Sequence, residues 1–173
     1  VFQSFALMPH MTVLDNTAFG MELAGINAEE RREKALDALR QVGLENYAHA
    51  YPDELSGGMR QRAALIRTLV LNPTLLLLDE PFSALDYQTR LKVADDIGMI
   101  IKQEEKTAIL VTHDLSEAVS LANRVIVLSE RPAQIAAVVP LEFEESLTPF
   151  ERRAAPQFKD YFNIIWKELN HDA

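Results

Sequence analysis

Apolar residues recur at two different periods along this chain, and the change of period divides it. Up to about residue 71 the spacing is helical. Residues 12–24 (TVLDNTAFGMELA) predict a short helix ending at Gly25. Asn27 is placed to cap a second helix, with Glu30 three positions on to complete a reciprocal capping arrangement. Ala35, Leu36, Leu39 and Val42 follow at helical spacing, and Gly43 stands where a left-handed helix end is needed. The charged run 29–34 reads as the solvated face of that helix. A third helix is predicted over 58–71, stopped by Asn72-Pro73. Residues 10–52 thus form a small helical lobe.

From Leu75 onward the texture is different. Residues 75–78 are four leucines followed directly by Asp79 and Glu80. Residues 108–112 (AILVT) make a second apolar run, ending in His113-Asp114, and 124–128 (RVIVL) and 135–139 make a third and a fourth. A helix over 87–103 separates the first two runs. A shorter helix, which Asp114 caps with Glu117 three residues on, separates the second and third. Continuous apolar strands alternating with helices predict an α/β fold with a parallel sheet buried on both faces. The last two runs, joined by only 129–134, suit an antiparallel hairpin. Residues 149–170 read as an amphipathic helical tail with Phe158, Tyr161, Phe162, Ile165 and Trp166 on one side. The expected division is therefore 1–52, 53–140 and 141–173.

Composition narrows the function classes. With 48% hydrophobic and 25% charged residues, the chain has the makings of a packed core and not of a disordered segment. A net charge of -9 argues against nucleic acid as the main partner, since phosphate backbones attract basic faces. The absence of cysteine excludes disulfides and thiolate metal sites. No apolar run approaches the roughly 18 residues of a membrane span, and no signal peptide is visible.

In a parallel sheet, ligand groups gather at the carboxyl ends of strands. Asp79 and Glu80 end the first run and His113 ends the second, so three polar groups fall on one rim. Two adjacent acids after a buried strand suit a magnesium-phosphate site, one holding the metal and the other polarising an attacking water. Alone, they could equally cap the turn at Pro81. The segment LSGGM, 55–59, opens a helix with Ser56 at the cap and Gly57 and Gly58 behind it. Free N–H groups at a helix start, a hydroxyl and no Cβ in the way make an anion site. An ordinary Ser-capped helix would look the same. The order of motifs decides between them: Gln3, the helical lobe, LSGGMRQR, LLLLDEP, SALD at 83–86, and VTHD at 111–114.

Those motifs resemble the ATPase subunit of ABC transporters, from Val1 to about Leu128. The resemblance implies a partial P-loop NTPase core, a parallel sheet flanked by helices, with a small helical subdomain. By position it implies a set of roles. Gln3 matches the glutamine that senses γ-phosphate and magnesium and couples to the membrane subunit. Ser56, Gly57 and Gly58 match the signature that clamps ATP bound to the opposite subunit. Asp79 matches the Walker B aspartate on Mg2+, and Glu80 the catalytic glutamate. Asp86 matches the D-loop at the dimer interface, and His113 the switch histidine. The cofactors implied are ATP and Mg2+. The partners implied are a membrane permease subunit and a second ATPase subunit, with the protein peripheral on the cytoplasmic face of the membrane. His10, His49 and His171 have no comparable context and read as surface or packing residues.

The family also requires a Walker A loop, G-x-x-x-x-G-K-[ST], whose backbone and lysine cradle the phosphates. None of the six glycines here begins that pattern, and the aromatic that stacks on adenine is missing too. The chain therefore reads as a fragment of such a subunit. Two alternatives are a half-site partner donating only its signature and a non-enzymatic interaction module. A soluble ABC ATPase of DNA repair or translation is less fitting, because long insertions or a second cassette are absent. From Val1 to about Arg62 the text is similar to importers of glycine betaine and proline. LLLLDEPFSALDYQTR and the tail around SERPAQI are closer to the nitrate, sulfonate and taurine group.

Overall fold

The computed structural model describes residues 7–170. Its helices are α1 (Val13–Leu23), α2 (Ala28–Gln41), α3 (Gly57–Leu69), α4 (Tyr87–Gln103), α5 (Leu115–Leu121), α6 (Pro149–Ala154) and α7 (Pro156–Leu169). Its strands are β1 (Leu75–Asp79), β2 (Thr107–Val111), β3 (Arg124–Leu128) and β4 (Ile135–Pro140). The chain separates into two compact units between Ile109 and Leu110, a division that falls inside β2. The architecture is α/β, with β1 and β2 paired as a parallel two-stranded sheet and β3 and β4 as a second sheet.

In the first unit the helical lobe closes on itself. Thr12 caps α1, its hydroxyl accepting from the Asp15 N–H at 3.1 Å, and the Asn27 carboxamide caps α2 through the Glu30 N–H at 3.0 Å. Val13, Met21, Ala35, Leu39 and Leu44 are buried in the lobe's interior. Gly25 and Gly43 terminate α1 and α2 at φ 78° and 67°, a backbone region that costs glycine nothing. The reciprocal cap expected of Glu30 is not made. Its carboxylate takes the Lys34 ammonium at 2.7 Å and the Asn27 side chain at 3.1 Å in place of the Asn27 backbone N–H. A cation one helical turn on is the stronger attractor, and it lowers the Glu30 pKa.

The leucine run forms β1 as expected, but only one face of it is covered among the described residues. Leu76 and Leu78 are buried, whereas Leu75 and Leu77 are 44% and 60% exposed. The expected burial on both faces is thus not met, because strand alternation sends every second side chain to a face that no element among the described residues covers.

The second unit is built on the β3–β4 hairpin, antiparallel as expected, with Val125 opposite Val139 and a bulge after Val127. Val119, Val127, Val139, Leu141 and Ile165 form its core, joined by Phe158 and Tyr161. The opposite face of the hairpin leaves Ile126, Leu128, Ile135 and Val138 exposed. The tail is two helices and not one: Ala155 takes an extended backbone (ψ 143°) because it precedes Pro156. Trp166, expected on the apolar side, is 55% exposed, since α7 meets the hairpin mainly through Phe158, Tyr161 and Ile165.

Candidate functional site

The LSGGM segment enters α3 through a tight turn over Pro52–Glu54, closed by the Tyr51 N–H on the Glu54 carboxylate at 2.6 Å. Leu55 is buried and anchors the turn. The Arg60 guanidinium reaches back one turn to the Leu55 carbonyl at 2.8 Å and the Pro52 carbonyl at 3.4 Å. Ser56 is exposed at the cap position, φ −65° and ψ 163°, its Oγ accepting from the Met59 N–H at 3.3 Å. The N–H groups of the first turn are therefore presented at a start fixed on both sides. An anion at such a start is favoured by the unpaired donors and by the helix dipole.

The glycines that follow have different surroundings. A Cβ on Gly57 would lie 3.0 Å from Leu85 Cδ2. Gly58 is buried, and its Cβ would lie 2.8 Å from Val93 Cγ2 on α4. Sequence reasoning assigned both glycines one purpose, room for an anion. For Gly58 the structure adds a second, close passage of two helices, which no spacing rule would have revealed.

Asp79 is exposed at the carboxyl end of β1, and Glu80 follows at φ 44°. A left-handed backbone at a glutamate is uncommon and costs about 1–3 kcal/mol, so the surrounding structure has to hold it. The next residues do. Pro81 and Phe82 are buried, Phe82 completely. The Glu80 carbonyl accepts both the Ser83 N–H at 3.3 Å and the Ser83 hydroxyl at 3.0 Å. This positive φ breaks the extended backbone directly after β1, which ends at Asp79.

The same loop ends at Asp86, whose carboxylate caps α4 by accepting the Thr89 N–H at 3.1 Å. The Thr89 side chain and backbone, both donating, lower the Asp86 pKa. The Arg90 guanidinium holds the Leu85 carbonyl at 3.1 Å. One loop, 79–86, therefore carries Asp79 and Glu80 at its start and Asp86 at its end, with Leu85 against Gly57 between them.

His113 stands in the second unit, exposed after β2. Thr112 Oγ1 donates to the Glu117 carboxylate at 2.7 Å, and Asp114 caps α5 through the Ser116 and Glu117 N–H groups at 2.8 and 3.2 Å. Those bonds fix the backbone on either side of His113. Gln3 and His171 lie outside the described residues. His10 and His49 are exposed.

The sequence reasoning passed over Asn16. It is buried in α1, and its side chain bonds the loop that precedes the helix. Its Oδ1 accepts the Met8 N–H at 2.7 Å, and its Nδ2 donates to the Met8, Met11 and Thr12 carbonyls at 3.0–3.1 Å. A polar residue on the apolar stripe of a predicted helix was the available signal.

No group of three or more His, Cys, Asp or Glu side chains suited to a metal occurs among the described residues. Two carboxylates in succession still fit magnesium, which takes one or two protein carboxylates and draws its other ligands from phosphate and water.

Comparison with known proteins finds related sequences and folds. The ABC transporter family model matches residues 1–83. The chain is 66% identical over 128 residues to the glycine betaine/proline betaine transport system ATP-binding protein ProV of Escherichia coli K12; the match covers 74% of this chain and 32% of ProV. It is 49% identical over 173 residues to the ABC transporter ATP-binding protein MJ0412 of Methanocaldococcus jannaschii, covering 98% of this chain and 63% of that protein. The fold superposes on the dimeric, post-hydrolysis ATP-binding cassette MJ0796 bound to ADP and Pi with a TM-score of 0.67. That match is at 34% identity and covers 83% of this chain and 62% of the cassette. The chain thus spans a third to two thirds of the length of these relatives.

Proposed function

On the premise that this chain belongs to the ABC transporter family, we propose that it serves as the ATP-binding, ATP-hydrolysing energy-coupling subunit of an importer. The observation that carries this reading is the loop 79–86. It carries the candidate metal ligand Asp79 and the candidate general base Glu80 at its start, and Leu85 near its end lies against Gly57 of the signature turn.

In this reading Ser56, Gly57 and Gly58 receive the γ-phosphate of ATP held by an opposing subunit, through the hydroxyl and the open N–H groups of α3. Glu80 orients and deprotonates the attacking water, and its fixed left-handed backbone holds the carboxylate off the strand axis toward that water. His113 contacts the γ-phosphate, and Gln3 reports its presence to the permease. Asp79, with Gln3, holds Mg2+, which when bound neutralises charge on the phosphates. Asp86 lies at the subunit boundary while it caps α4. The segment around Met8 and Met11, tied down by Asn16, receives the membrane permease. No helix among the described residues is long and apolar enough to cross a membrane, and the proposed place is peripheral, on the cytoplasmic face. The imported solute is small. A quaternary amine is the first candidate, supported by the identity with ProV; nitrate, sulfonate or taurine are the others.

The signature and D-loop lie within these 173 residues, whereas no stretch of them reads G-x-x-x-x-G-K-[ST], so a test of hydrolysis has to supply that loop. The decisive experiment for this reading supplies a phosphate-binding loop in a reconstituted assembly and compares wild type with Glu80→Gln. Hydrolysis is expected to fall roughly 10²–10⁴-fold with ATP binding retained. Equal loss of binding and hydrolysis would make Glu80 structural.

A further inference from the structure

The two glycines behind Ser56 meet different kinds of neighbour. Gly57 faces the far end of the Leu85 side chain, which is unbranched at Cβ and lies 3.0 Å from the position of an added Cβ. Gly58 faces Val93 Cγ2, and also Thr89 Cγ2 at 3.2 Å from the position of an added Cβ. Both are β-branched and stiff at χ1, and Val93 is only 4% exposed. Val93 is buried and Thr89 half-buried. Thr89 is further fixed, because its N–H is held by the Asp86 carboxylate. The first turn of α3 therefore passes the first two turns of α4 at a separation that only glycine permits.

We propose that Gly58 is a spacing residue: its missing side chain sets how far the Ser56 helix start lies from the Asp86 loop. The functional half of this rests on the reading above, in which both groups face a second subunit. The packing half does not, since it follows from the contacts alone. Gly58 is here a positioning residue, and Val93 is its partner.

The test is a cycle of Gly58→Ala, Val93→Ala and the double variant in the 173-residue chain, followed by thermal unfolding. Gly58→Ala is expected to lower Tm by roughly 5 °C, as an overpacked methyl does. In the double variant that penalty should vanish, with Tm no lower than that of Val93→Ala alone. Additive losses would overturn the proposal. If Gly58→Ala proves insoluble, recovery of soluble protein in the double variant supports the proposal, and failure to recover it, with Val93→Ala soluble, overturns it. A second arm measures ATP-dependent association with an intact related cassette. Gly58→Ala should weaken it at least about tenfold and the double variant should restore it. Restored Tm with association still lost would show that Gly58 serves the phosphate and not the spacing. If the wild-type chain shows no ATP-dependent association, the functional reading falls while the thermal cycle still decides the packing.

Discussion

Ser56 and Glu80, the two residues assigned the closest dealings with phosphate and water, are held in opposite ways. Ser56 sits in relaxed extended backbone and caps its helix as any serine would. Its placement comes from packing around it: buried Leu55, the Arg60 clasp and the contact of Gly58 with α4. Glu80 sits in a disfavoured backbone region, held by buried Phe82 behind it and by Ser83 on its carbonyl. A residue that only receives a ligand can stand where the chain is comfortable. A residue that must aim a carboxylate off the axis of its strand is held there against a local cost. Strain of this kind gathers where chemistry is done.

The comparison breaks most visibly at Phe82. Phe82→Ala removes the fully buried ring behind Glu80 and should cost about 3–5 kcal/mol of unfolding free energy, measured by urea titration. The Glu80 turn would lose its order with it. A loss under about 1 kcal/mol would mean that the ring does not hold the turn.

Ser83→Ala is subtler and more specific. It removes one of the two bonds on the Glu80 carbonyl, worth about 1 kcal/mol. In the reconstituted assembly it should slow hydrolysis several-fold with the KM for ATP unchanged, and Ser83→Thr should restore the rate. Ser56→Ala should do the reverse. It weakens ATP-dependent association and costs about 1 kcal/mol of helix stability through the lost cap, while leaving the chemical step per bound ATP intact. If both variants move the same kinetic parameter, the distinction between a packed receiver and a strained actor is wrong.

The smallest effect is one of pH. The Asp86 pKa is lowered by the Thr89 hydrogen bonds. A depressed carboxylate contributes stability that is present above its ordinary pKa, about 4, and is lost as pH falls through the folded value. Urea midpoints of wild type and Asp86→Ala should therefore converge as the pH is lowered below about 4. A constant gap down to pH 2 would assign the cap's effect to something other than the ionised carboxylate.

Much of this fold was legible because its signals are local. Asn27, Asp114 and Gly43 announce helix ends through the backbone groups they satisfy, and the leucine run could only be a strand so close to Pro73. The turn between 128 and 135 was likewise short enough to demand a hairpin. What escaped depends on contacts distant in sequence. Gly58 meets Val93 thirty-five positions on, and nothing in LSGGM points there. The positive φ of Glu80 goes against the preference of glutamate and stands two residues before the fully buried Phe82. The split tail was readable after all: Pro156 disfavours helix at Ala155, and the amphipathic pattern running through it concealed the break. The candidate site is proposed from its motif order, and the roles of Gln3 and His113 come from that order alone.

Whether this chain presents a signature helix start and a D-loop to ATP anchored by a second cassette can be read by sedimentation velocity. The 173-residue chain is run alone, with ATP and magnesium, and mixed with an intact related cassette whose catalytic glutamate is replaced by glutamine. The expected result is a monomer in the first case and, in the third, a heterodimer that requires ATP and is lost on Ser56→Arg, with the second case as the control. A mixture that stays monomeric with ATP, or a heterodimer that forms without ATP or survives Ser56→Arg, would overturn this assignment.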